Sequence, residues 1–222
     1  MFIVHCSFPY AAAIFDLDGT LLDSMWVWNR VDEAFFAVRG LSVPEDYLQA
    51  LHAMTFREVA EYTIARFDLP ETPETVMAEW NAQCFELYMN EVKLKPGAKE
   101  YLQALRTRGV KLAVATSLTK PLLEAVLQSN GILDWFDALT SADEVARGKG
   151  YPDIFLLTAE KLGIPPERCV AYDDLEKAMV GIKAAGMAAC AVHEPLSEQD
   201  WDKMCALADY NITSFLSDST NS

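Results

Sequence analysis

Apolar residues run without a break from Ala11 to Phe15, and the run stops at Asp16. A short run of this kind reads as a strand buried on both faces. From about residue 111 the chain alternates. Lys111–Thr116 (KLAVAT) reads as a strand, 120–128 as a helix and 137–140 as a short strand. Residues 152–162 carry a helical pattern, with Pro152 in the favoured first turn and Gly163 as its stop. Arg168–Tyr172 reads as a strand, 175–185 as a helix closed by Gly186, and 187–192 as a strand. This βαβα rhythm predicts an α/β core: a parallel sheet with helices on both faces.

Residues 23–91 follow a different period. Apolar positions recur at helical spacing in Val27/Val31/Phe35/Val38 and in Val76/Trp80/Cys84/Leu87, and Pro44, Pro70 and Pro73 punctuate the pattern. Lys95-Pro96-Gly97 marks a return to the first pattern and leads into a helix over 98–108. The expectation is two domains. Residues 1–22 and 92–222 form the α/β core, and 23–91 is an α-helical bundle inserted after the first strand.

Length and composition bound the function. At 222 residues with 51% hydrophobic content, the chain can bury a large core. No apolar stretch reaches the length of a membrane span, and 1–15 lacks the basic start of a signal peptide. Five scattered cysteines with no CxxC pair suggest neither a zinc site nor a disulfide framework, and a cytoplasmic location is expected. The net charge of −15 argues against nucleic acid or an anionic membrane as partner. Residues 23–91 hold 13 Asp/Glu against 4 Arg and no Lys. Any anion site must therefore be made locally positive by a metal, a lysine or backbone amides. Oligomeric state is not legible.

The candidate chemistry starts where the first strand stops. Asp16-Leu17-Asp18-Gly19-Thr20 places two carboxylates two residues apart, and in a strand such residues face the same side. A turn explains Asp18-Gly19 but not Asp16, a charge adjoining an apolar run, where burial is costly without a partner. Ligands of open α/β sheets bind at the carboxyl ends of the strands. Those ends hold Asp16 and Asp18, then Thr116-Ser117, then Asp173-Asp174, with Lys149 in an intervening loop. Singly, Thr116-Ser117 and Asp173-Asp174 read as helix caps and Lys149 as a solvated lysine. Their order after the DxDGT sequence favours one site.

Together these segments resemble the four motifs of the haloacid dehalogenase superfamily, over residues 11–192. The pattern of 148–155 (GKGYPDIF) is similar to that of the subgroup containing β-phosphoglucomutases and phosphoglycolate phosphatases. The insertion resembles that subgroup's helical-bundle cap on a Rossmann-like core. The resemblance implies that Asp16 attacks phosphorus and that Asp18 serves as general acid and base. It implies Mg²⁺ held by Asp16, the Asp18 backbone carbonyl and Asp174, with Asp173 acting through water. Thr116, Ser117 and Lys149 would bind phosphoryl oxygens, with backbone amides from Leu17 to Gly19. The fourth-motif pair usually reads Glu-Asp, and here it is Asp-Asp.

Branches of the family separate on single residues. Dehalogenases lack the second aspartate, and Asp18 is present. Phosphonatases use a cap lysine, and residues 23–91 contain none. Mutases carry a histidine in the first cap helix, where this chain reads Trp26-Val27-Trp28-Asn29-Arg30. A phosphatase of a small phosphorylated metabolite remains, with a mutase or a catalytically retired binding protein as alternatives. Arg57 aligns with a cap arginine that contacts substrate; a solvated charge paired with Glu61 is the competing reading. Trp26 and Trp28 either line a pocket or pack the bundle.

Overall fold

The computed structural model describes residues 8–51, 54 and 56–216, with the backbone alone for residue 49. The first seven residues, His5 and Cys6 among them, and His52 lie outside the described residues. In chain order, β1 (Ala12–Phe15) and β2 (Leu22–Asp23) precede α1 (Val27–Ala37), α2 (Tyr47–Ala50), α3 (Phe56–Phe67) and α4 (Pro73–Asn90). Then come β3 (Lys93–Leu94), α5 (Ala98–Thr107), β4 (Lys111–Thr116), α6 (Lys120–Ser129), β5 (Ala138–Ser141) and α7 (Asp153–Leu162). The chain continues through β6 (Cys169–Asp173), α8 (Glu176–Ala184), β7 (Ala188–Val192), α9 (Trp201–Leu207) and β8 (Tyr210–Ile212). Two compact units result: the chain up to Met25 and from Val92 onward, and Trp26–Glu91.

The first unit is a six-stranded parallel sheet in the order β5-β4-β1-β6-β7-β8. Strand β1 is buried along its whole length because it is central and covered on both faces. Alternate residues serve opposite layers. Ala12 and Ile14 join Phe155 of α7, Ile182 of α8 and Met204 of α9. Phe15 stacks on Tyr172 with ring centroids 4.4 Å apart, and Tyr101 of α5 meets it edge-on at 6.4 Å. Burying each such large side chain contributes on the order of 1.5–3 kcal/mol. That explains why these short strands need no polar alternation. Strands β2 and β3 pair antiparallel, Leu22 with Leu94 and Asp23 with Lys93. The sequence pattern gave no sign of this pairing, because two-residue strands carry no periodicity.

The second unit is helical. Val27, Val31, Phe35 and Phe36 of α1 are buried, as are Val76, Trp80, Cys84 and Tyr88 of α4. The helical period was correct, but two positions move: Val38 is 74% exposed, and Tyr88 rather than Leu87 completes the α4 stripe. Four-residue steps stay closer to one face of a 3.6-residue helix than a three-residue step at its fraying end. Phe35 and Trp80 pack at 5.2 Å. Arg39 bonds Glu71 and Glu79 at 2.8 and 2.7 Å, with its guanidinium 3.6 Å above the Phe35 ring. Thr72 caps α4 through Thr75 N at 3.3 Å, with Pro73 in the first turn. Among the described residues no helix is long and apolar enough to cross a membrane, and Cys84, Cys169, Cys190 and Cys205 are free thiols.

Candidate active site

Strand register assembles the site. Phe15 pairs with Val114 on one side and Tyr172 on the other, and Asp16 N donates to Tyr172 O at 2.9 Å. Asp16 therefore leaves β1 beside Asp173 and Asp174 at the end of β6. One carboxylate oxygen from each of Asp16, Asp173 and Asp174 lies within 4.8 Å of the others, and all three residues are buried. Lys149 is buried with them. Its Nζ lies 2.5 Å from Asp16 Oδ1 and 2.8 Å from Asp173 Oδ2. The Asp16 contact is an ion pair whose alignment falls short of a hydrogen bond.

Electrostatics follow from three buried acids sharing one cation. Burial, with Asp173 and Asp16 alongside, pushes Asp174 up to about 8. Burial also raises Asp173, to about 6, against the pull of Lys149. Burial works against a charged Lys149, yet Asp16 and Asp173 more than offset it and hold the amine above its usual value. An excess of buried negative charge in an all-oxygen donor set suits a small hard cation such as Mg²⁺.

The surrounding residues hold these groups in place. Asp18 is partly exposed, and Ser24 Oγ donates to its Oδ1 at 2.6 Å. Asp16 and Asp18 thus occupy different environments only two residues apart. Leu17 is buried, and its carbonyl accepts from Thr20 N at 3.2 Å and Leu22 N at 2.8 Å, closing the turn. Gly19 sits at φ +71°, and a Cβ there would come 2.4 Å from Asp174 Oδ2. Only glycine meets both demands. Thr116 is buried at the end of β4, and its hydroxyl accepts from Leu118 N at 3.3 Å; Ser117 is exposed. The Lys149 loop is clamped by Arg147, which grips Asp153 with two bonds of 3.1 and 2.7 Å and lies over Tyr151. Arg57, in the helical unit, is exposed and pairs with Glu61 at 3.0 Å and with Glu74 at 2.8 Å.

Three contributors carried little or no sequence signal. Thr20 is buried and donates to Asp174 Oδ1 at 2.9 Å. Lys95, read only as punctuation before Pro96-Gly97, donates from Nζ to the Gly19 carbonyl and pairs with Glu194 at 2.7 Å. Gly181 lies mid-helix in α8, where a Cβ would meet Lys149 O at 2.0 Å. A glycine inside a helical pattern was the one available clue to that close approach.

The family model of haloacid dehalogenase-like hydrolases matches residues 10–186. Hexitol phosphatase B of Escherichia coli (strain K12) is 32% identical over 206 residues, spanning 91% of each chain. The chain belongs to the haloacid dehalogenase-like hydrolases. Among them, the phosphorylated carbohydrates phosphatase of Thermotoga maritima is 28% identical, over 79% of this chain and 82% of that one. A crystal structure of a putative β-phosphoglucomutase from Thermotoga maritima superposes with a TM-score of 0.84 over 94% of this chain and 96% of that one. At 23% identity that match shows the shared haloacid dehalogenase-like fold.

Proposed function

We propose that this phosphoric monoester hydrolase is a Mg²⁺-dependent phosphatase acting on a small phosphorylated metabolite through an aspartyl-phosphate. The observation that carries this reading is the buried Asp16–Asp173–Asp174 cluster with Lys149, at the carboxyl ends of parallel strands. Asp16 is the nucleophile: its carboxylate oxygen bonds to phosphorus as the ester P–O bond breaks. Asp18, the partly exposed acid, gives its proton to the leaving alkoxide. Asp18 then takes a proton from the water that attacks phosphorus, and the Asp16–phosphate bond breaks to release phosphate. Thr116 and Lys149 hold phosphoryl oxygens, with Ser117 and the backbone amides from Leu17 to Gly19. The residues that would hold Mg²⁺ are Asp16, Asp174 and the Asp18 backbone carbonyl, with Asp173 reaching it through water. Bound there, the cation supplies charge neutralisation. The names of the relatives favour a phosphorylated sugar or polyol as substrate. Arg57 is our candidate for a substrate contact from the helical unit.

The test is product analysis. Incubation with sugar phosphates should release inorganic phosphate, EDTA should abolish release and Mg²⁺ restore it. Full activity after exhaustive chelation sinks the metal. Phosphorus NMR showing conversion of β-glucose 1-phosphate to glucose 6-phosphate faster than phosphate release would replace phosphatase with mutase.

A further inference from the structure

The helical unit carries an open cavity of about 290 Å³ that the phosphatase reading does not use. Three aromatic rings wall it: Trp28 and Phe56 lie 5.7 Å apart edge-on, and Phe56 and Trp80 lie 5.7 Å apart at a tilt. Leu48, Leu51, Met54 and Val59 complete an apolar lining. Asp32 also lines it, only 9% exposed.

That carboxylate is out of place on physical grounds. A buried charge needs a partner, and Asp32 has no hydrogen bond or ion pair among the described residues. No lysine lies in this unit, its one histidine, His52, lies outside the described residues, and all four of its arginines are committed elsewhere. Arg30 pairs with Glu91, Arg39 with Glu71 and Glu79, Arg57 with Glu61 and Glu74, and Arg66 with Asp46. A second polar group is equally unmatched. Trp80 is 2% exposed, and its Nε1–H has no acceptor among the described residues.

We propose that this cavity binds an organic ammonium group. The three aromatic faces attract a cation, and more strongly once it is desolvated. Asp32 supplies the counter-charge. A neutral polyol would leave Asp32 uncompensated and meet mostly apolar walls. An anion would face the carboxylate. Burial alone pushes Asp32 up to about 6, the behaviour of an acid that has lost its solvent and gained no cation. The ammonium group has two sources, a free amine or the amine end of a phosphorylated substrate. Binding at this cavity does not depend on whether the core hydrolyses the ligand.

Tryptophan fluorescence of the intact protein, titrated with choline and with ethanolamine, reads the site directly. At least one should give a saturable change, since Trp28 and Trp80 both line the cavity. For choline, the uncharged carbon isostere should bind about tenfold more weakly or worse. Asp32→Asn should reduce that preference. Trp28→Leu, at a side chain 46% exposed and so tolerant of change, should weaken binding about tenfold as well. No saturable response to either amine overturns the proposal, as does equal binding of choline and its isostere. Unchanged binding in Asp32→Asn does the same. Turnover of phosphocholine with a KM that rises in Asp32→Asn makes the ammonium the substrate's own. Choline binding without phosphocholine turnover makes it a separate metabolite.

Discussion

At the end of β1, three buried aspartates share a lysine, a threonine hydroxyl and the Leu175 N–H, which bonds Asp173 Oδ1 at 3.1 Å. In the helical unit one buried aspartate, Asp32, stands among tryptophans and a phenylalanine with no such partner among the described residues. Both arrangements cost free energy in an empty protein, for different reasons. The core site keeps its charges because Lys149, Thr20 and the backbone compensate part of their desolvation, leaving an excess suited to a cation. In the helical unit no described residue compensates Asp32. A partnered cluster marks machinery assembled by the fold itself, while an unpartnered charge marks a place that a ligand would complete.

The largest effect expected tests the partnered side. Asp16→Asn keeps shape and removes the proposed nucleophile together with one metal ligand. Turnover of p-nitrophenyl phosphate should fall by about 10³-fold or more. Near-wild-type turnover would remove the nucleophile from the core site and flatten the contrast.

Next in size is the strut beneath that site. Lys95→Met leaves Glu194, 9% exposed, without its cation and frees the Gly19 carbonyl. Stability should fall by about 2–3 kcal/mol, read as the chemical-denaturation midpoint. Turnover should fall by about tenfold because the Asp18-Gly19 turn loses its brace. Lys95→Arg should recover most of the stability. A stable, fully active Lys95→Met would show the turn to be self-supporting.

The unpartnered side should respond with the opposite sign. The folded-state value of Asp32, about 6, lies above the carboxylate reference of 3.8. Between those values the folded protein binds more protons than the unfolded chain, so its stability falls as pH rises through that window. Asp32→Asn removes the penalty and should stabilise the protein by about 2 kcal/mol at about pH 7, with the gain vanishing at about pH 4. Paired melts at the two pH values check this. Loss of stability at neutral pH would mean that Asp32 is already compensated.

The smallest effect expected is at the surface. Arg57 and its partners Glu61 and Glu74 have side chains 57%, 52% and 64% exposed. Arg57→Ala should leave the melting temperature nearly unchanged. A thermal melt showing a large loss would make Arg57 a structural anchor rather than a candidate substrate contact.

Much of the core was legible because its signals are local. An uninterrupted apolar run means a doubly covered strand, and Ala11–Phe15, Lys111–Thr116 and 187–192 each mark one. The positions of Asp16, Asp173-Asp174 and Lys149 relative to those strands were readable for the same reason. The antiparallel pairing of β2 with β3 was not, since two residues are too few to show a period. Nor were the roles of Lys95 and Glu194, 99 residues apart, which meet only when the last strands are in place.

Sequence by itself determined the alternation of strands and helices, the helical character of the insertion, and the motif order by which the family is recognised. These depend on periodicity and on residue types within a few positions of one another. Only tertiary structure decided that Lys149 is buried between Asp16 and Asp173, and that Gly181 must lack a Cβ to admit the Lys149 backbone. It alone decided that Asp32 and Trp80, 48 residues apart, line one cavity. Register and packing set those distances, and the free energy of a buried charge depends on which neighbours the fold supplies rather than on which residues adjoin it in the chain.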